Sequence, residues 1–373
     1  MLFPSGGTFV ISRRLILRGA AVSLAAPMIN LGRFSLFART DSTYSTRTLD
    51  LVRRCTVIDM LGLITLNYRK FSTWETNPDR FQLTDFVRLK NSGITALHPA
   101  VGYTKGDIYA ESLLDIKRWN TFITDRPSEF LRIEGHADFG RAKALGKVGI
   151  VIGQQNSEHF RTVPDVDRFF ALGQRVSQLT YIGNRIGGGS SDARDIGLTK
   201  YGMAIVERMN QTGMAIDISH CADRTSIDAI EASRRPVLVT HSNCRTLVPY
   251  SSRCKTDEAI RRMAARGGVM GVTMVRAFVS AGRTATIETV LDHVDHIAKL
   301  VGVEHAGVGS DVDLDGRDLP TQSPRKYDLD GMDYSKKIYD LAEGLVRRKY
   351  SNQSIELILG GNFQRALSGI WVS

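Results

Sequence analysis

Met214-Ala215-Ile216-Asp217-Ile218-Ser219-His220-Cys221-Ala222-Asp223-Arg224-Thr225, followed a short way on by Pro236-Val237-Leu238-Val239-Thr240-His241, reads as strand, helix, strand. Each apolar run is short, carries β-branched residues and ends at a histidine, and the segment between them, 224–233, has helical periodicity. The same grammar extends in both directions. Further short apolar runs lie at 55–59, 94–98, 149–153, 178–182, 268–274 and 306–311, and helical stretches at 163–172, 204–211, 257–266 and 287–301 separate many of them. Eight strands alternating with helices predict an α/β fold of the closed (β/α)8 TIM-barrel class. A doubly wound open sheet is the competing arrangement.

In such a barrel the reacting residues sit at the carboxyl ends of the strands. Asp59, His98, Tyr181, His220, His241 and Asp311 fall at or beside those ends. A polar terminus on a buried strand is costly without a partner, so two histidines and an acid converging on one mouth point to a metal site or an acid–base site. His98, followed by Pro99, is read as a strand-terminating residue with an ordinary hydrogen bond. His293 and His296, three apart on an outer helix, are read as solvent-exposed, and His136, His159 and His305 as structural residues of helices or loops. The run from Asp311 to Gly316 copies the start of a calcium loop, but its twelfth position is Gln322 and no helix precedes it, so the match is read as accidental. Gly187-Gly188-Gly189-Ser190-Ser191 lacks the lysine of a phosphate-cradling loop and is read as a mobile loop after the fourth strand.

The chain of 373 residues is 42% hydrophobic and 24% charged, a globular composition that excludes a disordered tail, a fibre or a disulfide scaffold. Of the formal charge of +10, four units come from Arg13, Arg14, Arg18 and Arg33, in an N-terminal stretch without acids. The remaining excess is scattered among acids, which excludes a nucleic-acid partner. Ser12-Arg13-Arg14-Leu15-Ile16-Leu17-Arg18, ahead of a short apolar run broken by Pro27, Asn30 and Gly32, predicts a twin-arginine export signal over 1–38. Ser35-Leu36-Phe37-Ala38 is the expected cleavage point, which leaves 39–373 as one barrel domain in the bacterial periplasm. No other apolar run reaches the length of a membrane span, so the mature chain is expected to be soluble. The export machinery is one expected partner, and a second copy of the chain, in a homodimer, is another. Cys55, Cys221, Cys244 and Cys254 allow three pairings in an oxidising compartment, and spacing does not choose between them.

Two segments carry a resemblance. Ile218-Ser219-His220-Cys221-Ala222-Asp223-Arg224-Thr225, with the run from Pro236 to Arg245, resembles the membrane (renal) dipeptidase family, the M19 metallopeptidases. Supporting similarity runs from about Val57 to the C-terminus and includes Gly307-Val308-Gly309-Ser310-Asp311 and Gly360-Gly361-Asn362-Phe363. The resemblance implies a metal-dependent hydrolase barrel in which two bridged zinc ions hydrolyse dipeptides. Zinc lowers the pKa of bound water to about 7 and polarises the scissile carbonyl. It further implies His220 and His241 as ligands of one zinc, Asp311 as the catalytic acid–base, and Arg253 as the anchor of the substrate's free carboxylate.

The chain departs from that pattern at the other zinc. The resemblance implies a His-x-Asp ligand pair just beyond Asp59, where this sequence has Leu61 and Leu63. The bridging glutamate is replaced by Gln155, and a substrate-contacting histidine by Tyr181. Leucine has no lone pair and a neutral amide is a weak zinc ligand. The first site is therefore expected to be absent, leaving one zinc on His220 and His241 with Gln155 or water completing it. Cys221 and Cys244 could join a His/Cys site for zinc or copper, but consecutive strand residues face opposite sides. Cys221 is thus expected to point into the barrel wall and Cys244 to begin a helix. Two functions follow: a metal-dependent dipeptidase-like amide hydrolase acting on small peptide-like substrates, or a diverged relative that binds a peptide-like ligand, or assists maturation of an exported metabolite, without hydrolysis.

Overall fold

The computed structural model describes residues 44–371 except 66, 283 and 319–325. The twin-arginine stretch and its expected cleavage point lie outside the described residues. The strands, in chain order, are β1 (Ile58–Asp59), β2 (Ala96–Leu97), β3 (Phe130–Arg132), β4 (Val148–Ile150), β5 (Gly153–Gln154), β6 (Val176–Gln178), β7 (Ala215–Asp217), β8 (Val239–Ser242), β9 (Met270–Val272) and β10 (Ala306–Val308).

Every pairing between them is parallel. β1 lies between β2 and β10, β10 pairs with β9, and β9 pairs with β8. In the other direction β2 pairs with β4, whose continuation β5 pairs with β6, and β6 pairs with β7. The last seam joins β7 to β8 through a parallel bridge between Asp217 and Leu238. Across it Ile218 N donates to Leu238 O at 3.0 Å and Leu238 N to Ile216 O at 2.9 Å. The ring is closed, which removes the exposed strand edges of an open sheet. The fold is the metal-dependent hydrolase type of (β/α)8 barrel.

The ring closes tightly where the site will be. A Cβ on Gly271 or Gly309 would stand 2.1 or 1.7 Å from Thr240 O, so the backbones of β8, β9 and β10 approach to a distance that only glycine permits. The helices are placed by local chemistry. Thr199 and Thr256 accept from the third residue of the helices Lys200–Thr212 and Asp257–Ala265, and Gly213, with φ of 81°, ends the first of these. The C-terminal helix Asn362–Ile370 supplies Phe363, Leu367 and Ile370 to an apolar cluster with the strand residues Ile58, Ala215 and Leu238.

Several expectations shift. The fourth barrel strand is Val176–Gln178, so Tyr181 lies in the loop beyond it and not at a strand end. β3, which pairs with β4, was not foreseen; its three residues carry no alternation long enough to read. The glycine-rich segment is pinned and not a free loop: Gly188 N donates to Thr225 Oγ1 at 2.9 Å and Ser190 N to His220 O at 2.7 Å. Cys244 does not begin a helix but bridges to Lys255. His293 is fully buried, because the helix Ile287–Val301 turns Val290, His293, Val294 and Ile297 inward together. Its Nδ1 accepts from Cys244 N at 3.1 Å, and only His296 sits near the surface, 2.8 Å from Asp257.

Candidate active site at the barrel mouth

A cavity of about 930 Å³ opens beyond the carboxyl ends of the strands, and Gln155, Tyr181, His220 and Asp311 line it together with Leu63. Beside it His220 follows β7, and His241 lies in β8. The seam that joins these strands brings His220 Nε2 to 3.1 Å from His241 Nε2. The Tyr181 ring stacks on His220 with centroids 4.3 Å apart and planes 22° apart.

A buried polar network under the pair sets its protonation. The Thr240 hydroxyl donates to Asp217 Oδ2 at 2.7 Å, and Ser219 Oγ donates to Asp217 Oδ1 at 2.5 Å. The backbone N–H groups of Ser219 and Thr240 donate to the same Oδ1. With its proton spent, Thr240 Oγ1 accepts from His241 Nδ1 at 2.8 Å, which leaves His241 Nε2 as an acceptor facing His220 Nε2. Burial holds both imidazoles well below the ordinary histidine range, and the neighbouring Arg253 and Lys255 push in the same direction. Both rings are therefore neutral, the form in which imidazole is a base or a metal ligand.

Asp311 leaves β10 in a left-handed conformation, with φ of 57°. Its N–H donates to Leu61 O at 2.7 Å, and its neighbours on both sides are held by one ammonium. Lys337 Nζ donates to Ser310 Oγ at 2.7 Å and Val312 O at 2.8 Å, and lies 3.1 Å from Asp59 Oδ2. Burial raises the Asp311 carboxyl to about 6, against the pull of Arg253 and Arg317. Asp59 itself is fully buried and takes both the N–H and the hydroxyl of Ser310, so it serves the framework of the mouth.

Arg253, expected to meet a substrate carboxylate, is not among the residues lining the cavity. Its Nη1 donates to Ser219 O at 2.5 Å and its Nη2 to His241 O at 2.9 Å, which makes it a clamp on the backbone beside both histidines. The cations that do line the cavity are Arg118, Arg317 and Lys326. Gln155 lines it with its Nε2 donating to Ala100 O at 2.7 Å. The thiol of Cys221 is engaged by the Thr180 hydroxyl at 3.3 Å, and all four cysteines are free and buried. His98 donates from Nδ1 to Met60 O, as an ordinary strand-end residue would, but its buried Nε2 has no partner among the described residues.

The donor chemistry bears on the metal that the resemblance implies. Among the described residues no group of three or more His, Cys, Asp or Glu side chains could hold an ion. The leucines offer nothing: Leu61 is buried and Leu63 lines the cavity wall. The residues present do not fit a two-ion centre. They fit two corners of a single site, since two Nε2 atoms 3.1 Å apart are close to the spacing of neighbouring imidazoles on one tetrahedral zinc, although catalytic zinc usually has three protein ligands.

Asp217, Thr240, Lys255 and Lys337 were not singled out from the sequence, although they build the support of the site. Asp217 carried the one available signal, an acid in the middle of an otherwise apolar strand.

Comparison with known proteins agrees with the barrel fold. The family described as Membrane dipeptidase (Peptidase family M19) matches residues 45–370. Dipeptidase verJ of Clonostachys rogersoniana is 31% identical over 229 residues, covering 60% of this chain and 56% of its own length. The chain spans about half the length of several curated relatives that it matches. An amidohydrolase from Pseudomonas aeruginosa superposes with a TM-score of 0.75 and 26% identity, covering 87% of this chain and 99% of that one. A metallo peptidase from Rhodobacter sphaeroides, liganded with a phosphinate mimic of the dipeptide L-Ala-D-Ala, superposes with a TM-score of 0.70 over 84% of this chain and 99% of its own. At 18% identity that likeness shows the fold alone. With the family match running from the first described helix to the last, the chain belongs to the membrane dipeptidase family, peptidase family M19.

Proposed function

We propose that this protein is a dipeptidase-like amide hydrolase acting on small peptide-like molecules in the cavity at the barrel mouth. The observation that carries the reading is the pair of neutral imidazoles, 3.1 Å apart at Nε2, beside a cavity that Asp311 also lines. With its carboxyl raised to about 6, Asp311 is mostly ionised at pH 7 and close enough to neutrality to take a proton from water and return it to the leaving amine. Tyr181 fixes the plane of His220 by stacking, and Thr240 with Asp217 fixes the tautomer of His241. One zinc ion held by His220 and His241 would, when bound, supply Lewis acidity toward the substrate carbonyl.

Two measurements test this reading: elemental analysis of protein purified without added zinc, and amine release from a panel of dipeptides. About one equivalent of metal with amine release supports it, and metal-free protein inert toward the panel overturns it. The missing third donor and the leucine in the cavity wall favour a second reading, a barrel that binds a peptide-like ligand or assists maturation of an exported metabolite. Calorimetric binding without amine release would establish that alternative. Residues 12–18 support export of the folded chain by the twin-arginine route, with 39–373 as the exported barrel. Fractionation of cells carrying lysine at positions 13 and 14 tests this, and protein still found in the periplasm would overturn it.

A further inference from the structure

Beyond β10, residues 317–318 and 326–328 are held together by two carboxylates, each gripping the backbone that carries the other. Asp328 accepts from Arg317 N at 3.0 Å through Oδ1 and 2.9 Å through Oδ2, and from Asp318 N at 2.9 Å. Asp318 Oδ2 in return accepts from the N–H groups of Lys326, Tyr327 and Asp328, at 2.8, 2.9 and 2.9 Å. Hydrogen bonds from backbone N–H to an ionised carboxylate are among the stronger ones, so this double clasp fixes the two segments against each other. Arg276, shortly after β9, ties the clasp to the barrel: its N donates to Tyr327 O at 3.1 Å and its Nη1 to Asp328 O at 3.0 Å.

The clasp brings Arg317, Lys326 and Tyr327 together, and all three line the cavity. One tyrosine ring takes both cations, with Arg317 Cζ 5.8 Å and Lys326 Nζ 5.0 Å from its centroid. Among the described residues neither the Arg317 guanidinium nor the Lys326 ammonium has a hydrogen bond or ion pair of its own. The other charges of the wall are engaged: Arg118 Nε lies 3.4 Å from Glu75, and Asp115 accepts from Gln154 Nε2 at 2.7 Å. Arg317 also acts on the Asp311 carboxyl, which puts the pair of cations within electrostatic reach of the candidate active site. Two unmatched positive charges side by side exceed what the single terminal carboxylate of a neutral peptide requires. A guanidinium fork and an ammonium suit carboxylate oxygens, and cations placed before the ligand arrives lower the cost of ordering them.

We propose that Arg317 and Lys326 form a subsite for an acidic side chain of the ligand, so that the cavity prefers small peptides ending in aspartate or glutamate. The inference rests on the reading of the cavity as a site for peptide-like molecules.

The test compares Ala-Glu with Ala-Gln on the whole protein, by calorimetry or, where turnover is detected, by KM. The terminal carboxylate is common to both peptides, so their ratio reads the side chain alone. Wild type should favour Ala-Glu by about fivefold or more at about 0.1 M salt, and the margin should shrink toward parity at about 1 M, where exposed charges are screened. Arg317→Gln and Lys326→Gln should each narrow the ratio, and together bring it to within about twofold. Arg317→Lys keeps the charge and should retain most of the preference, a rescue that a merely structural role would not show. Both side chains are exposed, so the variants are expected to fold, and the salt dependence of the wild-type ratio needs no variant. Equal affinity of wild type for both peptides, a preference indifferent to salt, or a ratio that survives the double variant overturns the subsite alone. Binding of neither peptide overturns the peptide reading of the cavity as well.

Discussion

Thr240 stands one residue before His241, and its hydroxyl links that imidazole to the buried Asp217. Thr240→Val keeps the shape but removes both bonds, which frees the His241 tautomer and leaves Asp217 short of a donor. The expected result is a loss of about 1–3 kcal/mol in urea unfolding and roughly 10- to 100-fold in hydrolysis or metal affinity. Unchanged values for both would show that the network does not set the site. At this scale His220 and His241 were legible, because a histidine ending an apolar run can be seen in one dimension. Arg253 was not. Its position in Ser251-Ser252-Arg253 says nothing of direction, and in the fold its guanidinium turns to the carbonyls of Ser219 and His241. Arg253→Lys, with one ammonium for two carbonyl partners, is expected to weaken free-acid and amide ligands alike. A loss confined to free acids, read from paired binding measurements, would restore the carboxylate-anchor role.

The helix Lys337–Arg347 shows what an element adds beyond its periodicity. Its first residue is a fully buried lysine whose ammonium holds Asp59, Ser310 and Val312, and so fixes the turn on which Asp311 takes its left-handed conformation. Lys337→Met leaves the Asp59 carboxylate buried without its cation, for which about 3–5 kcal/mol of destabilisation is expected in denaturant unfolding. A loss under about 1 kcal/mol would mean that the pair is not a structural charge pair. The long, strongly periodic helix Ile287–Val301 was read to the residue, but the strands were read less well. The fourth was placed too late because Gln178-Leu179-Thr180-Tyr181-Ile182 alternates as cleanly as the Val176–Gln178 segment that pairs, and only pairing with β5 and β7 separates them. His293 was read as exposed because a three-residue spacing marks a shared face without saying whether that face is inside.

Across the whole molecule, burial of histidines couples stability to pH. His98, His159, His220, His241 and His293 are all lowered by desolvation, His159 and His293 to about 4. The unfolded chain protonates them near 6.5, so their contribution is complete above that value and is lost as pH falls toward the folded values. Asp115 and Asp311, raised to about 6, act oppositely, since their protonation below pH 6 favours the folded state. Glu75 and Asp340 are raised by burial as well, but Asp257, Glu288 and Glu343 are held below their ordinary values and lose their contribution in acid together with the five histidines, so the urea midpoint should fall between pH 7 and pH 4.5. A midpoint that rose over that interval would contradict the assignment of neutral buried imidazoles.

From the sequence alone came the eight-stranded alternation, the two histidines at neighbouring strand ends and the family likeness of their segments. These are legible because apolar periodicity and residue order along a strand are local, and a parallel barrel places successive strand ends side by side wherever that alternation holds. Only the tertiary structure decided that the two Nε2 atoms lie 3.1 Å apart, that Arg253 clamps backbone, that Lys337 fills the space beside Asp59, and that Glu75 and Asp115 share a cavity wall. Each of these depends on where a side chain points once the ring has closed, and on contacts between residues tens to hundreds of positions apart, which no local pattern in the chain records.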